Sequence, residues 1–399
     1  MDRTWSIKEA GERELVEKLA AEINVDEIIA NLLVQRNIHS FEDARKFFRP
    51  TMEGLHDPFL MKDMDKSVQR MEKAISGGER IMIYGDYDVD GTTAVALMFY
   101  CLSPFSQELI CYIPDRYGEG YGISVAGIER AAAENVSLII ALDCGIKAAD
   151  KVEFAKEKDI DLIICDHHTP GELIPDACAI LNPKQPDCKY PNKELTGCGI
   201  GFKLLQAFHL HNNKEFETRD YALQLAAIST ACDIVPMTDE NRYITHFGLE
   251  KINALPIPGV KVLIDASKRK RPLNVSDLVF VIGPRLNSAG RMAHGLRSVE
   301  LLLAKDEAEA IAPGQLIESL NAERRKIDLG TQDAALNLIS KDMEMQGKKS
   351  TVLYDPEWHQ GVLGIVASRL MDHYYRPTVL LTGNNGLATG SARSVRDFD

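Results

Sequence analysis

The stretch Ile81–Thr93, IMIYGDYDVDGTT, sets a short apolar run directly before three aspartates at alternating positions, Asp86, Asp88 and Asp90. A β-prone run followed by Gly91-Thr92-Thr93 and a long apolar segment reads as strand, turn and helix. Carboxylates crowded at a strand's end repel one another strongly unless a cation sits among them. The pattern recurs downstream in LDCG (Leu142–Gly145), CDHH (Cys165–His168) and ACDIVP (Ala231–Pro236). Acidic or histidine clusters at successive run ends point to one metal site assembled by a folded sheet.

Working outward, β-prone runs at Arg80–Tyr84, Leu109–Ile113, Ser137–Leu142, Asp161–Cys165 and Ala177–Leu181 are separated by helical stretches at Thr92–Leu102, Ser124–Glu134 and Ala148–Lys158. This alternation predicts an α/β fold with a parallel sheet covered by helices. Ligands bind such sheets at the carboxyl ends of the strands, where the aspartates fall. Residues 1–76 read as an N-terminal helical segment, with Ser40 and Asp43 spaced as a capping box. The catalytic sheet domain is expected over 77–250, with helices again at 198–230. A connecting region over 251–345 has a mixed pattern through Leu301 and a basic patch, Lys268–Arg271. Pro313-Gly314 interrupts the chain before a long amphipathic helix, Gln315 to about Ile339, which at about 1.5 Å per residue is long enough to join two domains. A second, smaller α/β unit is expected to begin in 346–399 and to be incomplete there.

Lys and Arg total 46 against 59 Asp and Glu, a net charge of −13. That argues against a broadly basic nucleic-acid surface, but not against a metal-loaded cleft with local arginines. No apolar run approaches about 18 residues, so no membrane span is expected. The N-terminus is charged and lacks an apolar signal core. The eight cysteines form no C-x-x-C pair, which argues against a cysteine zinc site and for a reduced, cytoplasmic setting.

The first cluster begins like a calcium-binding EF-hand loop, but the twelfth position, where that loop needs a bidentate acid, is Leu97. A helix starting after the aspartates would instead offer backbone amides to an anion beside the metal. Taken singly, Asp143 reads equally as a buried aspartate capping the next turn. Asp166-His167-His168, two histidines after an aspartate at a third strand end, favours metal and phosphate contact. Carboxylates mixed with imidazole suit Mn²⁺ or Mg²⁺ better than zinc. With two such ions and no competing serine or cysteine nucleophile, phosphoester hydrolysis by metal-activated water is the direct inference.

The segments GDYDVDGTTA, LDCGI, CDHHTPGELIPDACAILNPKQ and ACDIVPMTDENR resemble the ordered motifs of the DHH phosphoesterase superfamily. PDRYGEGYGIS, GPRLNSAGRM, WHQGVLGIVASRL and GSARS are similar to its RecJ branch, single-strand-specific 5′→3′ DNA exonucleases. The likeness runs from about residue 40 to the end. It implies a DHH domain joined by a long helix to a second domain, two Mn²⁺ or Mg²⁺ ions, and release of 5′ mononucleotides in repair and recombination. It implies single-stranded DNA with a 5′ end as substrate, with a single-strand-binding protein and a helicase as partners. The family's second domain continues into a Gly-Gly-His motif and an oligonucleotide-binding barrel, both beyond this sequence, so a weaker grip on DNA is expected of it. A small-substrate phosphoesterase and a non-catalytic repair scaffold of the same superfamily are the alternatives.

Position by position, the resemblance implies metal ligation by Asp88, Asp90, Asp143, His167 and Asp233, with Asp143 bridging both ions and Asp86 either a ligand or a residue behind the ligands. His168 matches the histidine that contacts the scissile phosphate, and Asp166 is expected to orient His167. Arg116, Arg285, Asn287 and Arg291 are expected to hold phosphate, because arginine grips it bidentately. Ser391 and Arg393 resemble the pocket for the DNA 5′ phosphate, and His359 with Gly361 is expected to line the same cleft. Tyr117, Tyr121 and Phe280 are candidates for stacking on bases.

Overall fold

In the computed structural model, which describes residues 5–384, 386–396 and 398, the chain divides at His56/Asp57 into two compact units. The first holds three helices, α1 (Arg13–Ile23), α2 (Glu27–Val34) and α3 (Phe41–Phe48), packed around Leu19, Ala30 and Leu33. Ser40 caps α3 by accepting from the Asp43 amide at 3.1 Å.

The second unit opens with α4 (Met64–Ser76) and then alternates: β1 (Arg80–Gly85), α5 (Val89–Leu102), β2 (Leu109–Tyr112), α6 (Val125–Ala133), β3 (Val136–Leu142), α7 (Ala149–Lys156), β4 (Asp161–Cys165) and β5 (Ala179–Leu181). The strands form one parallel sheet in the order β2-β1-β3-β4-β5. Chain order reverses between β1 and β3, so the switch point lies there. Register then does the positioning. Gly85 pairs with Leu142 and Leu142 with Cys165, so the residues that follow, Asp86, Asp143 and Asp166, emerge side by side. Two further backbone bonds hold them level: Asp143 N–H donates to Cys165 O at 2.9 Å, and Asp166 N–H to Leu181 O at 3.0 Å. Leu97, the residue that excluded a calcium loop, is fully buried in α5.

Helices α8 (Gly197–His211), α9 (Arg219–Cys232) and α10 (Asp239–Ala254) cover one face. The region with a mixed sequence pattern is helical throughout: α11 (Pro258–Ser267), α12 (Val275–Asp277), a π-helical turn at Leu278–Ile282, α13 (Gly283–Met292) and α14 (Leu296–Leu302). These pieces are too short for a periodic pattern to stand out, and tertiary burial of Leu263, Leu278, Ile282, Leu286 and Val299 fixes them. The long helix α15 (Glu307–Lys341) starts before Pro313-Gly314 rather than after it, capped by Asp306, which accepts from the Glu309 amide at 2.9 Å. The proline costs a helical bond. Gly314 allows close approach to α11, since a Cβ there would lie 2.3 Å from Val262 Cγ1.

α15 is shared with a smaller sheet. After α16 (Met343–Gln346) come β6 (Thr351–Tyr354), α17 (Leu363–Tyr374), β7 (Thr378–Asn384) and β8 (Leu387–Arg393), with β6/β7 parallel and β7/β8 antiparallel. Ala335 and Ile339 of α15 join Leu353, Val366 and Leu380 in its core. Among the described residues no helix is long and apolar enough to cross a membrane, and all eight cysteines are free thiols.

Candidate metal centre

Six side chains converge at the carboxyl edge of the large sheet. Asp86, directly after β1, is fully buried, and neither carboxylate oxygen has a hydrogen-bond partner. Burial and then the neighbouring Asp88 push its carboxyl up to about 8. Asp88 caps α5, its Oδ1 accepting from the amides of Asp90 (2.8 Å) and Gly91 (3.3 Å). Asn287 Oδ1 takes the Val89 amide at 2.9 Å. The amides expected to serve an anion are therefore used within the protein.

Asp90, in the first turn of α5, is gripped from the facing helices. It accepts from the amides of Gly197 (2.7 Å) and Cys198 (2.8 Å) at the start of α8, and from Ser229 Oγ of α9 (2.6 Å). Only glycine fits at 197, because a Cβ there would lie 2.6 Å from Asp143 Cα. Asp143 follows β3 in a left-handed conformation, φ 61°, which turns its buried carboxylate towards the centre rather than into a cap. Burial and the charges of Asp90 and Asp88 raise its carboxyl well above the usual range. Asp233, at the end of α9, is raised to about 8 by burial and by Asp90.

His167 Nε2 lies 3.2 Å from Asp143 Oδ1, 3.5 Å from Asp233 Oδ2 and 3.8 Å from Asp90 Oδ2. Burial lowers its pKa, so the ring favours the neutral form that ligates metals. Asp166 does not orient this ring. Its Oδ1 faces His168 Nδ1 at 2.7 Å and accepts the His168 amide at 3.1 Å, while Oδ2 accepts the Ile146 amide at 2.9 Å. The turn after β4 points the two histidines differently, and Asp166 reaches the second. Burial would raise the Asp166 carboxyl, but its hydrogen bonds with His168 outweigh that and hold it low. The same bond raises the His168 pKa. His168 Nε2 lies 3.1 Å from Tyr121 Oη, and Tyr121 also donates to Asp143 O at 3.2 Å.

Two sets of donors that share no residue, Asp86/Asp88/Asp143 and Asp90/His167/Asp233, each have ligand atoms within 4.8 Å of one another, and Asp143/His167/His168 form a linking third set. Oxygen and imidazole donors, with both Asp86 oxygens and His167 Nδ1 buried and unpartnered, fit hard divalent cations.

The expected phosphate contacts divide. Arg116 stacks over the Tyr87 ring at 4.7 Å and bears electrostatically on Asp86. Arg291 donates to Gly361 O at 3.1 Å. Burial and the nearby Arg116 and Arg324 depress its pKa to about 10, while Asp88 pulls the other way. Arg285 is committed elsewhere: its Nε meets Glu318 of α15 at 2.7 Å and its Nη1 donates to Val281 O at 2.8 Å. Asn287 is likewise tied to the start of α5. His359 Nδ1 accepts the Gly361 amide at 3.1 Å, and its ring sits edge-on to Tyr117, whose hydroxyl donates to Arg291 O. Ser391 and Arg393 on β8 close over the start of α17, where a Gly364 Cβ would lie 3.1 Å from Ser391 Oγ and 2.8 Å from Arg393 Nη2. Phe280 is exposed on the π-helical turn.

Sequence reasoning missed Gly197, Cys198, Ser229 and Tyr87. Thr196-Gly197-Cys198-Gly199 carried the available signal, a glycine-rich helix start suited to holding an anion, here the Asp90 carboxylate.

A family model described as the DHH family, N-terminal domain, matches residues 80–230. The single-stranded-DNA-specific exonuclease RecJ of Bacillus subtilis is 40% identical over 400 residues, covering 99% of this chain and 50% of that protein. The Salmonella typhimurium protein of the same name is 35% identical, covering 96% and 68%. The chain thus spans about half the length of the first relative and two thirds of the second. A crystal structure of exonuclease RecJ bound to manganese superposes with a TM-score of 0.75 at 31% identity, covering 84% of this chain and 83% of that one.

Proposed function

The chain belongs to the RecJ family of single-stranded-DNA-specific exonucleases, and from that membership we propose that it hydrolyses single-stranded DNA from the 5′ end, releasing 5′ mononucleotides. The observation that carries this reading is the pair of carboxylate–imidazole donor sets that share no residue at the sheet's switch point. Asp86, Asp88 and Asp143 would hold one divalent ion, and Asp90, His167 and Asp233 the other, with Asp143 near both. When bound, Mn²⁺ or Mg²⁺ supplies Lewis acidity and a water nucleophile at neutral pH.

The chain's own groups do the rest. Asp166 keeps His168 cationic with Nδ1 occupied, leaving Nε2–H to donate to a scissile phosphate oxygen. Arg116 and Arg291 offset phosphate charge beside Asp86 and Asp88. Ser391, Arg393 and the first amides of α17 hold the 5′ phosphate, with His359 on the same wall. Arg285 and Asn287 keep α13 in place and so serve the substrate indirectly. The catalytic domain is residues 77–250, the connecting region 251–345 carries the linker helix, and 346–399 begin the substrate-binding domain. Repair and recombination, a cytoplasmic setting, and a single-strand-binding protein and helicase as partners belong to the same reading.

End-labelled single strands and duplexes, digested with Mn²⁺ or Mg²⁺, test it. Mononucleotides are expected from 5′-phosphorylated single strands, and Asp143→Ala is expected to abolish them while circular dichroism stays unchanged. Full turnover by Asp143→Ala would remove the metal assignment. Preference for dinucleotides over long strands would move the chain to the small-substrate relatives.

A further inference from the structure

A cavity of 410 Å³ opens beside the centre, walled by residues 121–123, the turn 145–148 and the first turn of α7, with Asp166 and His168 at one end. Its volume lies in the range of small-ligand sites. Ile123 and Ile146 give it an apolar, buried floor. Lys147, exposed, and Lys151, paired to Asp150 at 2.6 Å, also line it. Apolar surface and an aromatic ring flanked by ammonium groups is the composition that holds a single-stranded nucleotide, base on the side chains and phosphate at the cations.

The order of contacts gives the cavity its place along a strand. Ser391 and Arg393 sit over Gly364 at the start of α17. The turn just before that helix carries Gly361, whose carbonyl accepts from Arg291. Next come Asp88 and the other carboxylates, then His167 and His168, and only beyond His168 the cavity. A strand with its 5′ phosphate at Arg393 and its first internal phosphate at the donor cluster therefore reaches the cavity with its second nucleotide.

We propose that this cavity is the subsite for the nucleotide on the 3′ side of the scissile bond, its base against Ile123 and Ile146 and its next phosphate beside Lys147 and Lys151. The assignment rests on the nuclease reading above for the direction of the strand.

Equilibrium binding tests it without requiring turnover. The probes are 5′-phosphorylated thymidine and a 5′-phosphorylated thymidine trinucleotide with a methylene group replacing the bridging oxygen of its first linkage, each titrated with Mn²⁺ present. The unaltered chain is expected to bind the trinucleotide more tightly than the mononucleotide. Lys147→Ala/Lys151→Ala is expected to lose most of that gain while mononucleotide affinity holds, which also reports an intact fold. The log–log salt dependence of trinucleotide binding should become shallower by about 0.7 per lysine removed. A gain that survives in the double variant, or no gain in the unaltered chain, overturns the subsite. Lysine-dependent trinucleotide binding by a chain that leaves single strands intact would instead support the subsite and sink the nuclease reading.

Discussion

Asp166 binds one histidine and leaves the other alone, and that choice has a kinetic consequence. Asp166→Asn keeps the size of the side chain but removes the charge that holds His168 protonated. A fall in kcat of about 10²-fold or more is expected, in the range for lost proton-donor catalysis, with Mn²⁺ affinity nearly unchanged because the ring of His167 makes no bond to Asp166. Single-turnover rates beside calorimetric Mn²⁺ titration check this, and equal losses in both would return Asp166 to His167. Ser229→Ala acts on the ligand instead. It removes the 2.6 Å bond to Asp90, and Mn²⁺ affinity should drop roughly 10–100-fold, as when other groups that orient ligands are lost. The same titration reads it. The ligands themselves were legible in the sequence because carboxylate and imidazole are chemical types that stand out at strand ends. The groups holding Asp90 were not, because two of the three are backbone amides, and an amide has no residue-type signature.

At the scale of elements, α15 and α17 are locked by one buried carboxylate. Asp328 accepts from Arg324 Nη1 at 2.7 Å and from Arg369 Nη1 at 2.9 Å. Asp328→Ala leaves two guanidinium groups without their partner. The expected cost is about 3 kcal/mol, at the lower end for a broken buried pair because Arg369 is partly in solvent. Since α17 carries the surface under Ser391 and Arg393, KM for 5′-phosphorylated strands should rise as well. Thermal unfolding and steady-state kinetics together check the pair of effects, and a lower Tm with an unchanged KM would separate this lock from the 5′ end. The strands β1 to β4 were legible because four- to seven-residue apolar runs bounded by polar turns have few other readings. The helices between Asp239 and Leu302 were not, since each depends on burial against neighbours that the local sequence does not name. Pro313 misled for a related reason: a proline ends most helices, but packing of Gly314 on α11 carries this one through.

For the whole molecule, the centre couples stability to pH and to metal. Without a divalent ion, Asp86 and Asp233 in the folded chain titrate near 8, whereas unfolded carboxyls titrate near about 4. Between those values the folded state holds protons that the unfolded state has released, so unfolding releases protons and stability falls as pH rises. In a chelator, Tm should therefore be higher near about pH 5.5 than near about pH 8, opposite to the usual behaviour of salt-bridged carboxylates. Saturating Mn²⁺ should invert the trend, because ligation requires the deprotonated carboxylates and neutral His167, and its contribution grows as they lose protons. Differential scanning calorimetry across that pH range, with chelator and with Mn²⁺, reads both slopes. Asp86→Asn, which removes one raised carboxyl without changing its size, should flatten the chelator curve and weaken the Mn²⁺ response together. A flat chelator curve in the unaltered chain would mean that the cluster's charges are relieved by some route other than protonation.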